Sequence, residues 1–335
     1  MKISVDAGAL CGGTRHQFGT YVVTQNILRC LAAHKEHDYT AYLYRRISKE
    51  TERFPPVRYK VMRPALGWMA ARVSIEQLIR PSDVFLGLNQ AIPWYTRARV
   101  ITLLHGLSFF FHKELYRDSY EALKDQVLFA ISRSDVVLVP SVRVKTELSD
   151  HFGFNDAVVN SFGIPYDMHM ESVKKPSRAR PYFIFVGMNH PIKNISFLVD
   201  AFTVYKSDPR YKDFELLLIG NHGNREHESL GIRSLQASRD QLPDLYRNAV
   251  GYLTASHYES FNLPVLEALS TNTPVIGKST AIIQELKPSV TIADKLEDFV
   301  DAMKAVTERD NKRRNTDLKE RFSWKKFTDR VVASY

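Results

Sequence analysis

The chain has 335 residues, 44% hydrophobic and 25% charged, which predicts two domains of an ordinary globular protein. Its net charge of +9 favours polyanions, anionic membranes or phosphorylated ligands, but the basic residues are spread out, which disfavours a nucleic-acid face. No apolar run reaches the roughly 20 residues that span a bilayer, and two cysteines build neither a disulfide framework nor a zinc site. We therefore expect a cytoplasmic protein, with peripheral contact with an anionic membrane as a further option and no nucleic-acid partner.

Short apolar runs alternate with helical patterns throughout the first half. Strands are predicted at 3–5, 40–44, 59–62, 84–86, 100–104, 135–139 and 158–159, and helices at 18–33, 113–132 and 142–152. Near-continuous apolar strands separated by helices indicate a parallel sheet that is covered on both faces. We assign residues 1–168 to a first Rossmann-like domain.

The same alternation restarts after a polar, basic segment at 169–180 that has the composition of a linker. Strands are predicted at 182–186, 214–219, 232–235, 251–254, 274–276 and 290–292, with helices at 195–206 and 296–306. This predicts a second doubly wound domain at 181–321, and we expect the last helix, about 322–335, to return to the first domain. The expected fold class is α/β, with two Rossmann-like domains facing each other across a cleft.

Two carboxylates bracket the predicted change from strand to helix after residues 249–255. Glu259 precedes the helix and Glu267 follows one turn inside it, with Asn262 as a favoured N-cap and Pro264 in the first turn. Amides at a helix start bind anions, and carboxylates accept from hydroxyls, so together they suit a sugar nucleotide. The helix dipole alone could explain either Glu, but their spacing after a strand favours a ligand site.

The segment Glu259-Ser-Phe-Asn-Leu-Pro-Val-Leu-Glu267, followed by Asn272-Thr-Pro-Val-Ile276, resembles the Glu-x7-Glu region of the retaining glycosyltransferases of family 4. These enzymes have the GT-B fold of two Rossmann-like domains. The resemblance implies that Glu259 contacts the transferred sugar and that Glu267 binds the nucleotide ribose. It also implies that sugar hydroxyls are held along Ser260, Phe261, Asn262 and Leu263, where the family often has glycine in place of Ser260 and Asn262.

A second match is Phe185-Val-Gly187, followed by His190-Pro-Ile-Lys193-Asn194. Glycine after a strand lets a ligand approach the backbone, and Lys193 at the next helix start could neutralise a diphosphate, although a lone surface lysine usually has no such role. The resemblance assigns Lys193 to the leaving diphosphate. The family often has an arginine where this chain has Met188 or Ile192, so we expect one cationic partner to be absent here, with Arg15 or His190 left open as its replacement.

A third match is Val100-Ile-Thr-Leu-Leu-His105-Gly106, where the resemblance places His105 against the donor sugar. A histidine in such a loop is otherwise an ordinary loop residue. Gly12 and Gly13 follow the first strand, and the resemblance puts a comparable loop near the donor diphosphate or the acceptor. A Gly-Gly pair is a weak signal by itself.

The resemblance thus implies a metal-independent, retaining hexosyltransferase without a cofactor. Its donor would be a nucleotide diphosphate sugar of the GDP-mannose or UDP-hexose type, and its acceptor a glycan or lipid-linked hydroxyl in cell-surface polysaccharide synthesis. Three alternatives remain open: a nucleotide-sugar epimerase on the same fold, an inactive nucleotide-binding module, and a nucleic-acid-binding protein. A product assay, nucleotide titration and a salt-dependent gel shift would separate them.

Overall fold

The computed structural model describes residues 1–12, 19–48, 51–169, 180–220, 228–308 and 317–335. The chain divides into two compact units, of which the first comprises Met1–Gly163 and Phe322–Tyr335 and the second Ile164–Arg321. The sequence placed the end of the first domain at residue 168, and most of the expected linker lies outside the described residues.

The first unit is built on a seven-stranded sheet whose strand pairs are parallel. Its strands are β1 (Lys2–Asp6), β2 (Asp38–Leu43), β3 (Arg58–Val61), β4 (Val84–Gly87), β5 (Arg99–Leu103), β6 (Val136–Val139) and β7 (Val158–Val159). Their order in the sheet, β3-β2-β1-β4-β5-β6-β7, reverses direction between β1 and β4. This is the doubly wound order, in which ligands bind beside the carboxyl ends of the strands at the reversal.

The helices of the first unit connect these strands. They are α1 (Thr20–Leu31), α2 (Ser74–Ile79), α3 (Ser108–Phe111), α4 (Tyr120–Arg133) and α5 (Val142–Phe152). Helix α5 has the predicted bounds because the hydroxyl of Ser141 accepts from the Val144 amide and Gly153 ends it with a φ of 64°. The predicted helix at 113–132 starts only at Tyr120, after a 3-10 turn at Lys113–Leu115. A π-helical segment, Trp68–Val73, leads into α2, where no helix was predicted.

The second unit repeats this organisation around six strands. They are β8 (Tyr182–Val186), β9 (Glu215–Ile219), β10 (Ile232–Leu235), β11 (Gly251–Thr254), β12 (Val275–Gly277) and β13 (Thr291–Ile292). The order β10-β9-β8-β11-β12-β13 reverses between β8 and β11. The helices are α6 (Ile195–Lys206), α7 (Leu242–Arg247), α8 (Leu263–Ser270), α9 (Leu296–Glu308) and α10 (Leu318–Arg321). Two doubly wound parallel sheets confirm the predicted fold class.

Aromatic side chains fill one face of the second sheet. Phe183 on β8, Phe202 and Tyr205 on α6, and Phe299 on α9 are fully buried in one cluster. Burial of each such side chain contributes about 1.5–3 kcal/mol to folding. This packing holds β8 firmly against α6 and so fixes the loop that leaves β8.

The last helix, α11 (Trp324–Val332), packs against α1 in the first unit. Trp324 stacks on Phe162 with ring centroids 5.7 Å apart, and the amide of Asn160 donates to the Phe327 carbonyl at 3.1 Å. A Cβ on Gly163 would clash with the backbone nitrogen of Trp324, so this close approach requires glycine.

Candidate functional site

The predicted site residues of the second unit follow two neighbouring strands at the point where the strand order reverses. Gly187 and Lys193 come after β8, and residues 259–263 come after β11. Because β8 and β11 are adjacent and parallel, their carboxyl ends bring these two loops to one edge of the sheet. A reversal point of this kind is where open α/β sheets bind ligands.

Lys193 and Glu259 form an ion pair at this edge. The Lys193 ammonium donates to Oε1 of Glu259 at 2.6 Å, and the hydroxyl of Ser256 donates to the same oxygen at 2.7 Å. The two charged side chains are 23% and 12% exposed, so solvent screens the pair only in part. An ammonium has three protons, and a diphosphate could therefore bind Lys193 without displacing Glu259.

The loop that carries Lys193 is held by local hydrogen bonds. His190 caps the 3-10 turn Pro191–Lys193 by accepting from the Ile192 amide through Nδ1 at 3.2 Å. The His257 amide, on the loop after β11, donates to the Ile192 carbonyl at 2.8 Å. This contact ties the two loops together and places Lys193 next to Glu259.

Packing also requires a glycine at position 187, in addition to its predicted role near the ligand. A Cβ at this position would lie 2.9 Å from the ring of Phe185, which is 1% exposed and cannot retreat into solvent. The next residue, Met188, is 59% exposed and occupies the position where the family often has an arginine. Lys193 is thus the cation that the predicted phosphate loop itself supplies.

Asn262 is not the side-chain helix cap that the sequence predicted. Its φ of 62° lies in the left-handed region, which glycine prefers and asparagine tolerates better than most residues. The side chain turns inward, where Nδ2 donates to the Ala281 carbonyl at 3.0 Å and to the Thr254 hydroxyl at 3.3 Å. Asparagine therefore reproduces the backbone of a glycine at this position and secures it with two hydrogen bonds.

The start of α8 also differs in one detail from the expectation. Pro264 lies in the first turn as predicted, but the Val265 amide donates to the Asn262 carbonyl at 3.0 Å and is not left for an anion. Phe261 and Leu263 are 2% and 7% exposed, and Ser260 is half-buried. If this segment binds sugar hydroxyls, it does so through its backbone and Ser260, because the two apolar side chains pack inward.

Glu267 lies at the centre of a buried network that the sequence did not reveal. Arg239 donates to its Oε1 at 2.8 Å, and the phenol of Tyr246 donates to its Oε2 at 3.0 Å. Arg239 also binds both carboxylate oxygens of Asp167, at 2.7 and 2.9 Å. The Glu267 side chain is 2% exposed, so any ligand hydroxyl must share a carboxylate that already has two partners.

The electrostatics follow from this arrangement. Burial alone would lower the pKa of Arg239, but the carboxylates of Glu267 and Asp167 outweigh it and hold that pKa above its usual range. Burial, and then the charge of Glu267, raises the pKa of Tyr246, which keeps it a neutral donor. Burial also raises the pKa of Tyr252 on β11. The negative charges of Glu259 and, to a smaller extent, Glu267 raise it further, so both carboxylates disfavour ionisation of this phenol.

His105 lies in the first unit, after β5, and its neighbouring strand orients it. Nε2 is 2.7 Å from the Leu88 carbonyl oxygen, which only accepts, so this nitrogen carries the proton. Burial lowers the pKa of His105 to about 4, against the opposing effect of the Leu88 carbonyl. The ring is therefore neutral near neutral pH, with Nδ1 as its acceptor.

The same edge of the first sheet carries a buried carboxylate that the sequence analysis did not single out. Asp6, at the end of β1, accepts from the Gly8 amide at 2.9 Å and from Asn89 Nδ2 at 3.1 Å. Burial raises its pKa to about 6. Gly12 ends the 3-10 turn Gly8–Gly12 that follows, whereas Gly13 lies outside the described residues.

No group of three or more His, Cys, Asp or Glu residues within the described ranges could hold a metal ion. Nor does any helix in the part of the chain that the structure describes have the length and apolarity needed to cross a membrane.

Comparison with known proteins finds similarity to glycosyltransferases. Residues 180–309 match the family described as Glycosyl transferases group 1. O-antigen chain mannosyltransferase B from Escherichia coli is 24% identical over 228 residues, which cover 61% of this chain. The chain spans only 58% of the length of that relative.

Solved structures share the fold along the whole chain. Sucrose-phosphate synthase from Thermosynechococcus elongatus has a TM-score of 0.80 at 15% identity, covering 100% of this chain and 98% of that protein. HepE from Anabaena, in complex with UDP and glucose, has a TM-score of 0.73 at 15% identity, covering 100% and 99%. At such identities, the likeness establishes the fold alone.

Proposed function

Since residues 180–309 match the group 1 glycosyl transferases and the chain has the GT-B fold, we propose that it is a metal-independent hexosyltransferase that uses a nucleotide diphosphate sugar. The observation that carries this proposal is the Lys193–Glu259 pair, at 2.6 Å, at the strand-order reversal of the second sheet. It joins a cation suited to phosphate with a carboxylate suited to sugar hydroxyls in one place.

The donor would be bound in three parts. Lys193 neutralises the diphosphate, Glu259 and the segment that begins at Ser260 hold the sugar, and Glu267 accepts from the ribose. Arg239 and Tyr246 keep the Glu267 carboxylate in one orientation for that purpose. A site prepared in this way does not have to order its charged groups when the donor binds.

The proposed chemistry is a front-face displacement with retention. The bond between the anomeric carbon and the β-phosphate oxygen breaks, the acceptor oxygen bonds to the same carbon on the same face, and the departing phosphate takes the acceptor proton. Lys193 stabilises the negative charge that develops on the diphosphate. His105, neutral and oriented by Leu88, is assigned to the donor sugar.

The acceptor we propose is the hydroxyl of a glycan or lipid-linked saccharide in cell-surface polysaccharide synthesis. The similarity to an O-antigen chain mannosyltransferase supports this class and favours GDP-mannose as the first donor to test. UDP-hexoses are the second choice, because HepE, a neighbour in fold, was solved with UDP and glucose. We place this activity in the cytoplasm.

The test is a donor screen followed by single-turnover kinetics. GDP- and UDP-sugars are ranked by thermal stabilisation of the protein, and the best donor is then incubated with saccharide acceptors in the presence of EDTA. We expect Lys193→Ala to slow sugar release at least tenfold, which corresponds to about 1.4 kcal/mol or more. Glu259→Gln is the second site variant. Lys304→Ala and Glu297→Gln, both on α9, are the matched controls for Lys193→Ala and Glu259→Gln.

The products separate the alternatives. An α-linked product from an α-linked donor supports retention, whereas inversion at the anomeric carbon contradicts it. Nucleotide binding without transfer to any acceptor and without donor hydrolysis would indicate an inactive binding module. An epimerised donor would indicate the epimerase alternative, and loss of all activity in EDTA would contradict metal independence.

A further inference from the structure

One helix of the first unit presents apolar side chains to solvent. In α2, Ile75, Leu78 and Ile79 are 44%, 58% and 69% exposed. Residues spaced three and four apart lie on the same face of a helix, so these three form one apolar surface. Large apolar side chains grouped in this way mark an interaction site on a soluble protein.

Two aromatic residues extend this surface. The Trp94 amide donates to the Ala70 carbonyl at 3.3 Å, and the Tyr95 amide donates to the Ser74 hydroxyl at 3.0 Å, so both residues lie alongside the helical segment 68–79. Trp94 is 66% exposed and Tyr95 is 36% exposed. We call the surface formed by Ile75, Leu78, Ile79, Trp94 and Tyr95 the apolar face.

The chain segment that carries the apolar face is basic, and Arg97 within it donates to the Tyr95 phenol at 2.9 Å. Residues 58–97 contain six Lys and Arg residues but only two acidic ones, Glu76 and Asp83, which is a net +4 of the total +9. The six cations are Arg58, Lys60, Arg63, Arg72, Arg80 and Arg97. Glu76 pairs with Lys60 and with Arg80, so one of the two carboxylates is offset by its own neighbours.

The cations continue into an open cleft beside α2. Four cations line it, Lys2, Arg58, Lys60 and Arg80, together with the two acidic residues Asp38 and Glu76 and with Ile79, so its lining keeps an excess of positive charge. The cleft lies at the amino ends of β1 to β3. Gly12 and His105 follow the carboxyl ends of their strands, at the opposite edge of the same sheet. The cleft is therefore separate from the predicted ligand site of this unit.

An anionic lipid bilayer fits this combination better than other occupants. Aliphatic side chains enter the acyl boundary, Trp and Tyr prefer the headgroup region, and Lys and Arg are attracted to an anionic surface. A second copy of the chain would bring the same cations against these, which disfavours self-association through a two-fold contact. Nucleic acid would leave the aliphatic side chains in water.

We propose that the apolar face and the cations of its chain segment dock the first unit onto an anionic membrane surface. This goes beyond the proposed transfer reaction, which requires only donor and acceptor. The helix lies in the headgroup region with Ile75, Leu78 and Ile79 inserted, while Arg63 and Arg72 bind lipid phosphates. Docking is reversible, because a six-residue helix face buries only a few apolar side chains.

The test is co-sedimentation of the full chain with vesicles of equimolar phosphatidylglycerol and phosphatidylcholine. We expect binding that falls at least tenfold in vesicles of phosphatidylcholine alone and falls again at high salt. Leu78→Ser/Ile79→Ser and Arg63→Gln/Arg72→Gln should each lower the partition coefficient at least tenfold. Leu128→Ser/Val204→Ser removes apolar groups of similar exposure, 40% and 46%, elsewhere on the chain and should leave it unchanged.

Three results would overturn the proposal. They are unchanged binding in the Leu78/Ile79 variant, equal binding to both vesicle types, and a wild-type dimer in sedimentation velocity that the same variant dissociates. The changed side chains are exposed, so the fold should survive, which tryptophan fluorescence checks. Nucleotide binding by the variants should equal that of the wild type, so failure of the docking proposal is distinguishable from failure of the proposed transfer.

Discussion

Arg239 holds Glu267 by one carboxylate oxygen while Tyr246 holds the other, at 2.8 and 3.0 Å. Each carboxylate oxygen has two lone pairs, so both can still accept from ribose hydroxyls. Asp167 keeps the guanidinium in place with two further hydrogen bonds. Arg239 therefore acts as a positioning residue that sets the direction in which Glu267 can accept.

We predict that Arg239→Ala weakens nucleoside diphosphate binding at least tenfold and removes much of the preference for ribose over 2′-deoxyribose. The reason is that Glu267 loses both its charge partner and its fixed orientation. Calorimetric titration with GDP and 2′-deoxy-GDP, or the UDP pair if uridine donors are preferred, measures both effects. Stability should fall by about 3–5 kcal/mol, since a buried carboxylate loses its partner.

Arg247→Ala is the matched control, because Arg247 lies on the adjacent helix α7 and pairs with Asp244. Its ribose preference should equal that of the wild type. If Arg239→Ala binds nucleotide more tightly than the wild type, then Arg239 competes with the ribose for Glu267 and does not position the carboxylate.

At the scale of elements, two titratable side chains, Asp6 and His105, lie at the carboxyl ends of strands in the first sheet, and their pKa values are shifted in opposite directions. The pKa of Asp6 is raised to about 6 by burial, and the pKa of His105 is lowered to about 4 by burial. Between these values the folded state holds the Asp6 proton that the unfolded state loses, and lacks the His105 proton that the unfolded state keeps. The two effects on stability therefore offset each other.

We predict that Asp6→Asn makes the free energy of unfolding of the first unit rise more steeply between pH 4 and pH 6 than in the wild type. Asp6 lowers stability as pH rises through this window and His105 increases it, so removing Asp6 leaves the His105 effect alone. Each contributes up to about 3 kcal/mol. Urea unfolding followed by tryptophan fluorescence measures it, since Trp68, Trp94 and Trp324 all lie in the first unit.

His105→Gln provides the reciprocal variant, and its unfolding free energy should fall across the same window relative to the wild type. If the unfolding free energies of the wild type and Asp6→Asn change with pH in parallel, Asp6 has an ordinary pKa in the folded chain. That result would contradict the proposed offset between Asp6 and His105.

The elements that the sequence predicted well are those with local signals. Helix α5 has a serine cap and a terminal glycine, and strand β8 is a continuous apolar run, so their bounds agree with the prediction. The helical segment 68–79 was missed because its hydrophobic periodicity breaks in the middle. Met69 and Val73 are buried in its first half, but in α2 the buried residues are Ser74 and Gln77, and the apolar side chains Ile75, Leu78 and Ile79 face outward.

The candidate site was predictable only in part for a related reason. Lys193 and Glu259 each follow a predicted strand, so their meeting follows from strand adjacency. Arg239 lies 28 residues before Glu267, and no sequence pattern marks it as a partner. The inward turn of Asn262 likewise depends on the Ala281 carbonyl, which tertiary packing places there.

At the scale of the whole molecule, the chain enters the second unit after Gly163 and returns to the first at Phe322. Helix α11 buries Trp324, Phe327 and Val331, each no more than 2% exposed, in the first unit. The last residues thus contribute to the core of the unit that contains the first residues, and the two units have separate cores.

We predict that Phe327→Ala and Phe299→Ala, both of which remove fully buried rings, destabilise different units. Phe327→Ala should lower the urea midpoint seen by tryptophan fluorescence, whereas Phe299→Ala in α9 should leave it unchanged and weaken thermal stabilisation by nucleotide. Each substitution should lower the free energy of unfolding of its own unit by about 3–5 kcal/mol, because a cavity replaces the ring. Equal shifts of the tryptophan transition in both variants would show that the units unfold as one, and that α11 couples their stabilities.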